Sequence, residues 1–363
     1  MSGTSIDGVD YALCEIDGKR IVLRSHWSVD FPRTLRHRLH TAARGEARTW
    51  ELAQLHHDLG RFYARHAVRP GVTGKIAAAG LHGQTVFHNP SRSAPATLQI
   101  GEPAWLAEAL RTRVVSNFRA GDIAAGGQGA PLATMFHQVV FAERGKHICV
   151  NNLGGISNVT SLDWRGDRCR VVAFDTGPAN VLIDMAMRHF TRGRIDMDKD
   201  GRCARKGKPC EAFLTKWLKN PYFRLKPPKS TGRELFGEPF FEKAIAEMRA
   251  FAQADAVATF TEFTARSLAL NYALHLPAWI DKIVLTGGGA ANPSLVGAIS
   301  RQLATGDGPV PVFTSAEVGW PPQTIEPAAF ALLAWLRLAG RPGNLPETTG
   351  ASRPALLGQV TEF

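Results

Sequence analysis

The chain has 363 residues, enough for two domains with separate cores, and its 44% hydrophobic and 21% charged residues are ordinary for a globular protein. Its 43 Lys and Arg against 32 Asp and Glu give a net charge of +11, which admits nucleic acid, an anionic membrane or an anionic small molecule as partner. No basic-then-apolar leader and no apolar run of membrane-spanning length is seen, so a cytoplasmic, soluble protein with no membrane partner is expected. Basic residues are densest from 188 to 233, but without the interleaved aromatics of a single-strand binder, so a solvated basic face and no nucleic-acid partner is expected. Cys14, Cys149, Cys169, Cys203 and Cys210 are irregularly spaced and suggest no disulfide framework; Cys203 and Cys210 lack zinc-site spacing. Gly201 to Lys208 mimics a P-loop, yet its glycines are one residue too far apart and Pro209 stands where Ser or Thr would hold magnesium.

In chain order, Met1-Ser2-Gly3-Thr4-Ser5-Ile6-Asp7-Gly8-Val9-Asp10 is a turn of small and hydroxyl residues with two carboxylates. It runs into a strand at 9–16, and Asp17-Gly18 then turns the chain into a second strand at 21–29, as in a hairpin. Leu52, Leu55, Leu59 and Phe62 at helical spacing predict a helix over 49–67. A buried strand is expected at 75–81, ending in His82-Gly83-Gln84-Thr85, then an extended stretch at 98–101 and a helix over 103–110. A strand at 114–118 leads to Arg119-Ala120-Gly121-Asp122 and a glycine loop at 125–131. The pattern then restarts: strands at 147–151, 159–162 and 170–174 flank Leu153-Gly154-Gly155-Ile156-Ser157-Asn158 and lead into Asp175-Thr176-Gly177-Pro178-Ala179-Asn180. A helix follows through 190, Asp255 reads as the N-cap of a long helix to 275, and a strand at 282–285 opens on Thr286-Gly287-Gly288-Gly289-Ala290. Asn292 caps and Pro293 starts the next helix. Two α/β halves with a nucleotide between them is the simplest reading of this repetition.

Glycine turns let a backbone approach an anion closely, and their N–H groups and hydroxyls donate to phosphate oxygens. Asp7 stands where a hard cation on those phosphates would find a carboxylate. Asp175 lies at the C-terminal end of an apolar strand, where the active-site carboxylates of open α/β sheets collect. Taken alone, such an aspartate reads as an Asx-turn or a helix cap; the accompanying loops favour a catalytic base.

Together, Ser2-Gly3-Thr4-Ser5-Ile6-Asp7-Gly8, His82-Gly83-Gln84-Thr85, Gln99-Ile100-Gly101, residues 122–132 and 175–180, Lys229-Ser230-Thr231-Gly232-Arg233-Glu234, residues 287–292 and Thr349-Gly350-Ala351 resemble the motifs of anhydro-N-acetylmuramic acid kinase, in order along the whole chain. The resemblance implies a two-domain actin-like, ribonuclease H-like ATPase (sugar kinase) fold with the nucleotide in the interdomain cleft. It divides the chain into 1–122, with a tail at about 345–363 packing back on it, and 123–344. It implies opening of the 1,6-anhydro bridge by water with phosphorylation of O6 by ATP, giving N-acetylmuramic acid 6-phosphate for peptidoglycan recycling. By the same resemblance Asp175 is the base and Glu326 a second catalytic carboxylate, although Glu326 equally reads as an ordinary carboxylate opening the helix 327–338. ATP falls to Gly3, Thr4, Ser5, Ile6, Asp7, Gly8, Val9, Asp10, Gly154, Gly155, Gly287, Gly288, Gly289 and Asn292. Mg²⁺ falls to ATP oxygens, water and Asp7. The sugar falls to His82, Gln84, Arg119 and Asp122, with Arg119 meeting its lactyl carboxylate in bidentate fashion and residues 229–233 closing on the nucleotide. Partners are small molecules, with a homodimer allowed. The competing readings are a sugar kinase acting on a free hydroxyl and a non-catalytic actin- or Hsp70-like ATP-binding protein.

Three departures from the family pattern set expectations of their own. Relatives carry an apolar strand before Met-Ser-Gly-Thr-Ser, so the strand at 9–16 is expected to lack a neighbour here. Ala179 replaces a glycine and is strained by around 1 kcal/mol if that position needs a positive φ. Asn117 replaces an aspartate before Phe-Arg.

Overall fold

A computed structural model describes residues 1–3, 5–18, 20–69, 76–91, 93–304 and 308–363. The chain forms two compact units, Met1–Val140 with Gln323–Phe363, and Phe141–Pro322. Residues 123–140 and 323–344, which the sequence reading joined to the second half, thus belong to the first unit.

The first unit opens on β1 (Gly8–Ile16) and β2 (Ile21–Asp30), an antiparallel hairpin in which Gly8 faces Asp30 and Ile16 faces Ile21. Helix α1 (Arg33–Ala43), too polar to stand out in the sequence, buries only Leu35, Leu39 and Ala42. Helix α2 (Thr49–Ala67) is started by Glu51, whose carboxylate accepts the Arg48 N–H, and buries Leu55, Leu59 and Tyr63. The strand expected at 75–81 is reduced to β3 (Ala79–Leu81); Lys75 lies outside the described residues. β4 (Gln84–Asn89) and β5 (Ala96–Ile100) form a second hairpin. Helix α3 (Pro103–Leu110) has proline at its first position and the Glu102 carboxylate on the Ala104 N–H. β6 (Val114–Ser116) stops short of the expected 118, because Asn117 at φ 54° turns the chain into α4 (Phe118–Ala124). Asparagine tolerates that left-handed geometry better than most residues, a local use for the departure at 117. α5 (Ala133–Phe141) follows. A three-stranded sheet places β6 between β3 and the closing strand Gln359–Thr361.

The hairpin and the three-stranded sheet do not join among the described residues. A cavity of about 840 Å³ lies against β1, β3 and the helix Ile325–Leu338, lined by Val9, Leu13, Ala79, Leu81, Ala331 and Trp335 among others. Met1 and Asp10 exchange both backbone hydrogen bonds at 2.8 Å, as directly opposed residues of antiparallel strands do. That pair sits at the start of β1.

The second unit is built on one five-stranded sheet. β7 (His147–Leu153), β8 (Ile156–Asp163) and β9 (Arg170–Pro178) run antiparallel. Helix α6 (Asn180–Thr191) leaves β9, and α7 (Glu211–Trp217), α8 (Arg233–Phe236) and α9 (Glu238–Glu247) precede the long α10 (Gln253–His275). Asp255 does not cap α10, which begins two residues earlier; its carboxylate instead accepts the Lys208 N–H. β10 (Lys282–Thr286) lies parallel to β7 on one side and β11 (Val312–Thr314) on the other, with α11 (Pro293–Gln302) between β10 and β11 in sequence. Aromatic side chains including Trp217, Phe223, Phe236, Phe260 and Phe263 fill the core beside α10. The P-loop look-alike is a turn packed on α11, where Ser294 Oγ donates to the Gly201 carbonyl. Cys14, Cys149, Cys203 and Cys210 are free thiols, and no described helix is long and apolar enough to cross a membrane.

Candidate active site

Asp175 is placed by a bulge in β9. Ser157 faces Gly177 and Asn158 faces Asp175, so Thr176 is the extra residue that re-aims the strand. The bulge is pinned from both sides: Thr176 Oγ1 donates to Ser157 Oγ at 2.6 Å, and Asn271 Nδ2 donates to the Thr176 carbonyl at 2.9 Å. The Asp175 carboxylate accepts the Thr231 N–H on Oδ2 at 2.9 Å, and its own N–H donates to the Lys229 carbonyl at 3.1 Å. Desolvation pushes its pKa up to about 6, against the Thr231 N–H, which lowers it, and with the nearby Glu234, which adds to the rise. It is therefore neither an Asx-turn nor a helix cap. The positive φ beside it falls on Gly177 (φ 126°), whereas Ala179 sits at φ −118°, so the strain expected at Ala179 does not arise.

The glycine turns of the second unit meet at the start of α6. Asn180 Nδ2 donates to the Leu153 and Gly154 carbonyls, clamping the β7–β8 turn on the start of α6. A Cβ at Gly289 would stand 2.7 Å from Leu153 Cβ, and one at Gly287 2.4 Å from Asn152 Oδ1, so only glycine lets the 287–289 loop close on that turn. Gly154 and Gly155 have no such crowding, and their backbone stays approachable. Asn292, expected at the nucleotide, caps α11 instead: its Oδ1 accepts from the Ser294 and Leu295 N–H groups, and the residue is buried. The 229–233 segment, expected at the nucleotide, reaches Asp175 through Lys229 and Thr231.

In the first unit the Ser-Gly-Thr-Ser turn divides into structural and open groups. Ser2 is buried, sharing a hydrogen bond with the Tyr63 hydroxyl. Ile6 and Val9 are core side chains, so only their backbone is left for a ligand; Ile6 at φ 55° is a strained β-branched residue held by that burial. Gly8 lies in the β1 ladder opposite Asp30. Asp10 Oδ1 accepts from Ser28 Oγ. Gly3, Ser5 and Asp7 remain accessible, with Ser5 Oγ on Asp7 Oδ1 at 2.8 Å; Thr4 lies outside the described residues. Gln84 is buried with Nε2 on the Gly3 carbonyl at 3.0 Å, and its Oε1 has no partner among the described residues.

Arg119, from α4, donates Nε to His82 Nε2 at 3.0 Å and Nη1 to the Gly129 carbonyl at 2.6 Å. His82 Nδ1 in turn sits 2.8 Å from the Gly83 carbonyl, which places the ring proton on Nδ1. Burial and the Arg119 charge hold the His82 pKa well below its ordinary value, so the imidazole is neutral. With Nε and one Nη1 hydrogen committed, Arg119 keeps both Nη2 hydrogens and the second Nη1 hydrogen for a ligand. Asp122 is a further correction. It is fully buried, with Oδ1 accepting from Asn344 and Thr349 and Oδ2 from the Gly129 N–H, each at 2.7 Å, so it anchors the 125–131 loop and offers nothing to a sugar. Glu326 has an accessible side chain, yet desolvation raises its pKa, opposed by Arg119 and the Met1 ammonium and reinforced by Asp10. Asp7 is an exposed single carboxylate, and no group of three His, Cys, Asp or Glu side chains able to hold a metal occurs among the described residues. That set fits a hard cation held mainly by phosphate oxygens and water.

An α/β protein with mutually packed glycine turns and a desolvated strand-end carboxylate has the parts of a phosphoryl-transfer enzyme. The chain belongs to the anhydro-N-acetylmuramic acid kinase family, whose description matches residues 1–362. It is 42% identical over 372 residues to the anhydro-N-acetylmuramic acid kinase of Gloeobacter violaceus, covering 99% of this chain and 97% of that one. The enzyme of that name from Acaryochloris marina is 39% identical over 374 residues, covering 99% and 98%. Among solved structures, the activator of 2-hydroxyisocaproyl-CoA dehydratase from Clostridium difficile, with bound ADPNP, aligns over 92% of this chain and 96% of that one at 12% identity and a TM-score of 0.41, a likeness too distant to carry an argument.

Proposed function

We propose that this chain opens 1,6-anhydro-N-acetylmuramic acid with water and phosphorylates its O6 with ATP, giving N-acetylmuramic acid 6-phosphate for peptidoglycan recycling. The observation that carries the reading is the Asp175 carboxylate, aimed by a bulge at the end of β9 and poised at about 6. An ordinary sugar kinase takes a proton from the attacking hydroxyl, but O6 of the anhydro sugar is an ether oxygen with none to give. Asp175 therefore takes its proton from water. The water oxygen bonds to C1, the C1–O6 bond breaks towards O6, and O6 takes the γ-phosphoryl group from ATP, with ADP as the leaving group. A base with a pKa near 6 is largely ionised at neutral pH and still a useful proton acceptor.

The backbone of Gly154, Gly155 and Gly287 to Gly289 is assigned to the nucleotide, and Gly3, Ser5 and Asp7 to phosphate oxygens. Asp7 would hold Mg²⁺ together with phosphate oxygens and water, and the ion supplies neutralisation of phosphate charge. Gln84 Oε1 and Arg119 Nη2 are the open polar groups on the sugar side, with Glu326 as a second carboxylate whose raised pKa suits proton transfer. The reading places the enzyme in the cytoplasm, acting on small molecules, and as a homodimer that solution mass measurement would detect. The test is ADP release with and without the anhydro sugar in ¹⁸O water. Sugar-dependent ADP release with one ¹⁸O at C1 is expected. Release without C1 labelling would make it an ordinary sugar kinase, and sugar-independent turnover or none would remove the kinase reading.

A further inference from the structure

Residues 222–231 wrap Asp175 from outside its sheet. Tyr222 Oη donates to the Asp175 carbonyl at 2.7 Å, the Lys229 carbonyl takes the Asp175 N–H, and the Thr231 N–H takes Oδ2. No hydrogen bond of the described residues reaches Oδ1. What fastens this segment is the Lys229 side chain. Only 7% exposed, its ammonium donates to the Tyr222 carbonyl at 3.2 Å and the Phe223 carbonyl at 3.0 Å. It stands 3.2 Å from His275 Nε2, which itself lies 2.9 Å from the Phe223 carbonyl. The ammonium also lies 4.8 Å from the Tyr222 ring centroid and 5.7 Å from that of Phe174, the residue before Asp175 in β9. Among the described residues no carboxylate forms an ion pair with it. A buried cation without a counter-charge is expensive to keep, and burial pulls this one down to about 8. A methionine would fill the same space without that expense.

We propose that Lys229 is a positioning residue for the base: it fastens the 222–231 segment so that the Thr231 N–H occupies Oδ2 of Asp175 and Oδ1 is left for the reacting water. This rests on the reading of Asp175 as the base. The hydrogen bond on Oδ2 stabilises the ionised carboxylate, opposing the desolvation and the Glu234 charge that raise it. Loosening the segment therefore makes the base harder to ionise and frees the carboxylate to rotate.

The test is Lys229→Met, which keeps the stem and removes the ammonium. Its kcat should fall about tenfold, the acidic limb of its kcat–pH profile should move up by about half to one pH unit, and its ATP Kd should stay within about twofold. The ¹³C carboxyl signal of Asp175 in labelled protein should titrate upward with the limb. A folded variant with a lower Tm but an unmoved limb and carboxyl titration would show a structural role and overturn the proposal. If Lys229→Met does not fold, Lys229→Arg, whose bulkier head must displace the segment, takes its place, and an unmoved titration there overturns it equally. Asp175→Asn is measured alongside. If it retains turnover, the base reading itself fails; if it abolishes turnover while the Lys229 variants leave the titration in place, the clamp alone fails.

Discussion

At the scale of single residues, Asp175 and Asp122 show how one side chain type is put to opposite uses. Asp175 is kept short of hydrogen bonds in a desolvated place, and its pKa rises to about 6; Asp122 has its oxygens filled by three donors. Asp175→Asn should reduce kcat by on the order of 10²–10⁴ while ATP still binds, measured by turnover and nucleotide titration. Stability should respond in a defined pH window. The native carboxyl holds its proton up to about pH 6 and the unfolded one only to about 3.8, so between these values the folded state loses stability as pH rises. Above pH 6 that loss is complete, and Asp175→Asn should then be the more stable protein by about 1–3 kcal/mol, with no such gain below pH 4. Denaturant titrations at pH 4 and pH 8 check the sign. Asp122→Ala should act through structure, losing about 3 kcal/mol or more because Asn344, Thr349 and the Gly129 N–H are stranded. A variant of Asp122 that folds normally and fails only in sugar binding would return it to the substrate site.

At the scale of elements, caps made the chain legible. Helices Thr49–Ala67 and Pro103–Leu110 lie at the residues expected, because Glu51 and Pro103 fix their starts and the left-handed Arg111 ends the second. Asn292 and Pro293 start α11 as their order predicts. Helix α1 and strand β4 were hidden, the first mostly polar and the second setting an exposed Phe87 against buried Gln84, whereas the extended stretch expected at 98–101 falls largely in β5. In the site, Asp175 was readable from its strand-end position, whereas Asp122 was misread because its partners Asn344 and Thr349 lie 222 and 227 residues away. The Thr231 contact, 56 residues from Asp175, left no local trace either. The glycine loops were legible in place but not in purpose. Gly287 combines φ 79° with a close approach to Asn152, so Gly287→Ala should lose about 1–2 kcal/mol from backbone strain and weaken ATP binding as the loop lifts off Leu153. Unchanged ATP affinity would separate this loop from the nucleotide.

At the scale of the whole molecule, each unit has its own core, but their sheets are connected differently. The second unit joins five strands in one sheet, while in the first the hairpin and the three-stranded sheet are unjoined among the described residues, beside a cavity of about 840 Å³. Unpaired strand edges and unfilled apolar lining both forgo stabilisation, so the first unit should unfold first on heating. The Met1–Asp10 exchange shows which way a strand would enter: residues joined ahead of Met1 would continue antiparallel along β1, past Ala12 and Cys14. Burial also pushes the Met1 ammonium down to about 6 from about 8. The unfolded amine holds its proton up to pH 8 and the native one only to pH 6, so stability should rise with pH between those values. Making Met1 part of a longer chain removes that charge. A fusion of about six to eight alternating apolar residues, a typical strand length, should therefore raise the lower Tm, tighten ATP binding at the turn beside β1, and abolish the rise in stability between pH 6 and 8. A Gly-Ser fusion of equal length should abolish the pH effect alone, since it removes the ammonium but supplies no apolar face. Calorimetry of the three proteins at pH 6 and pH 8 distinguishes these outcomes, and an apolar fusion that melts with the Gly-Ser control would show that the cavity does not accept a strand.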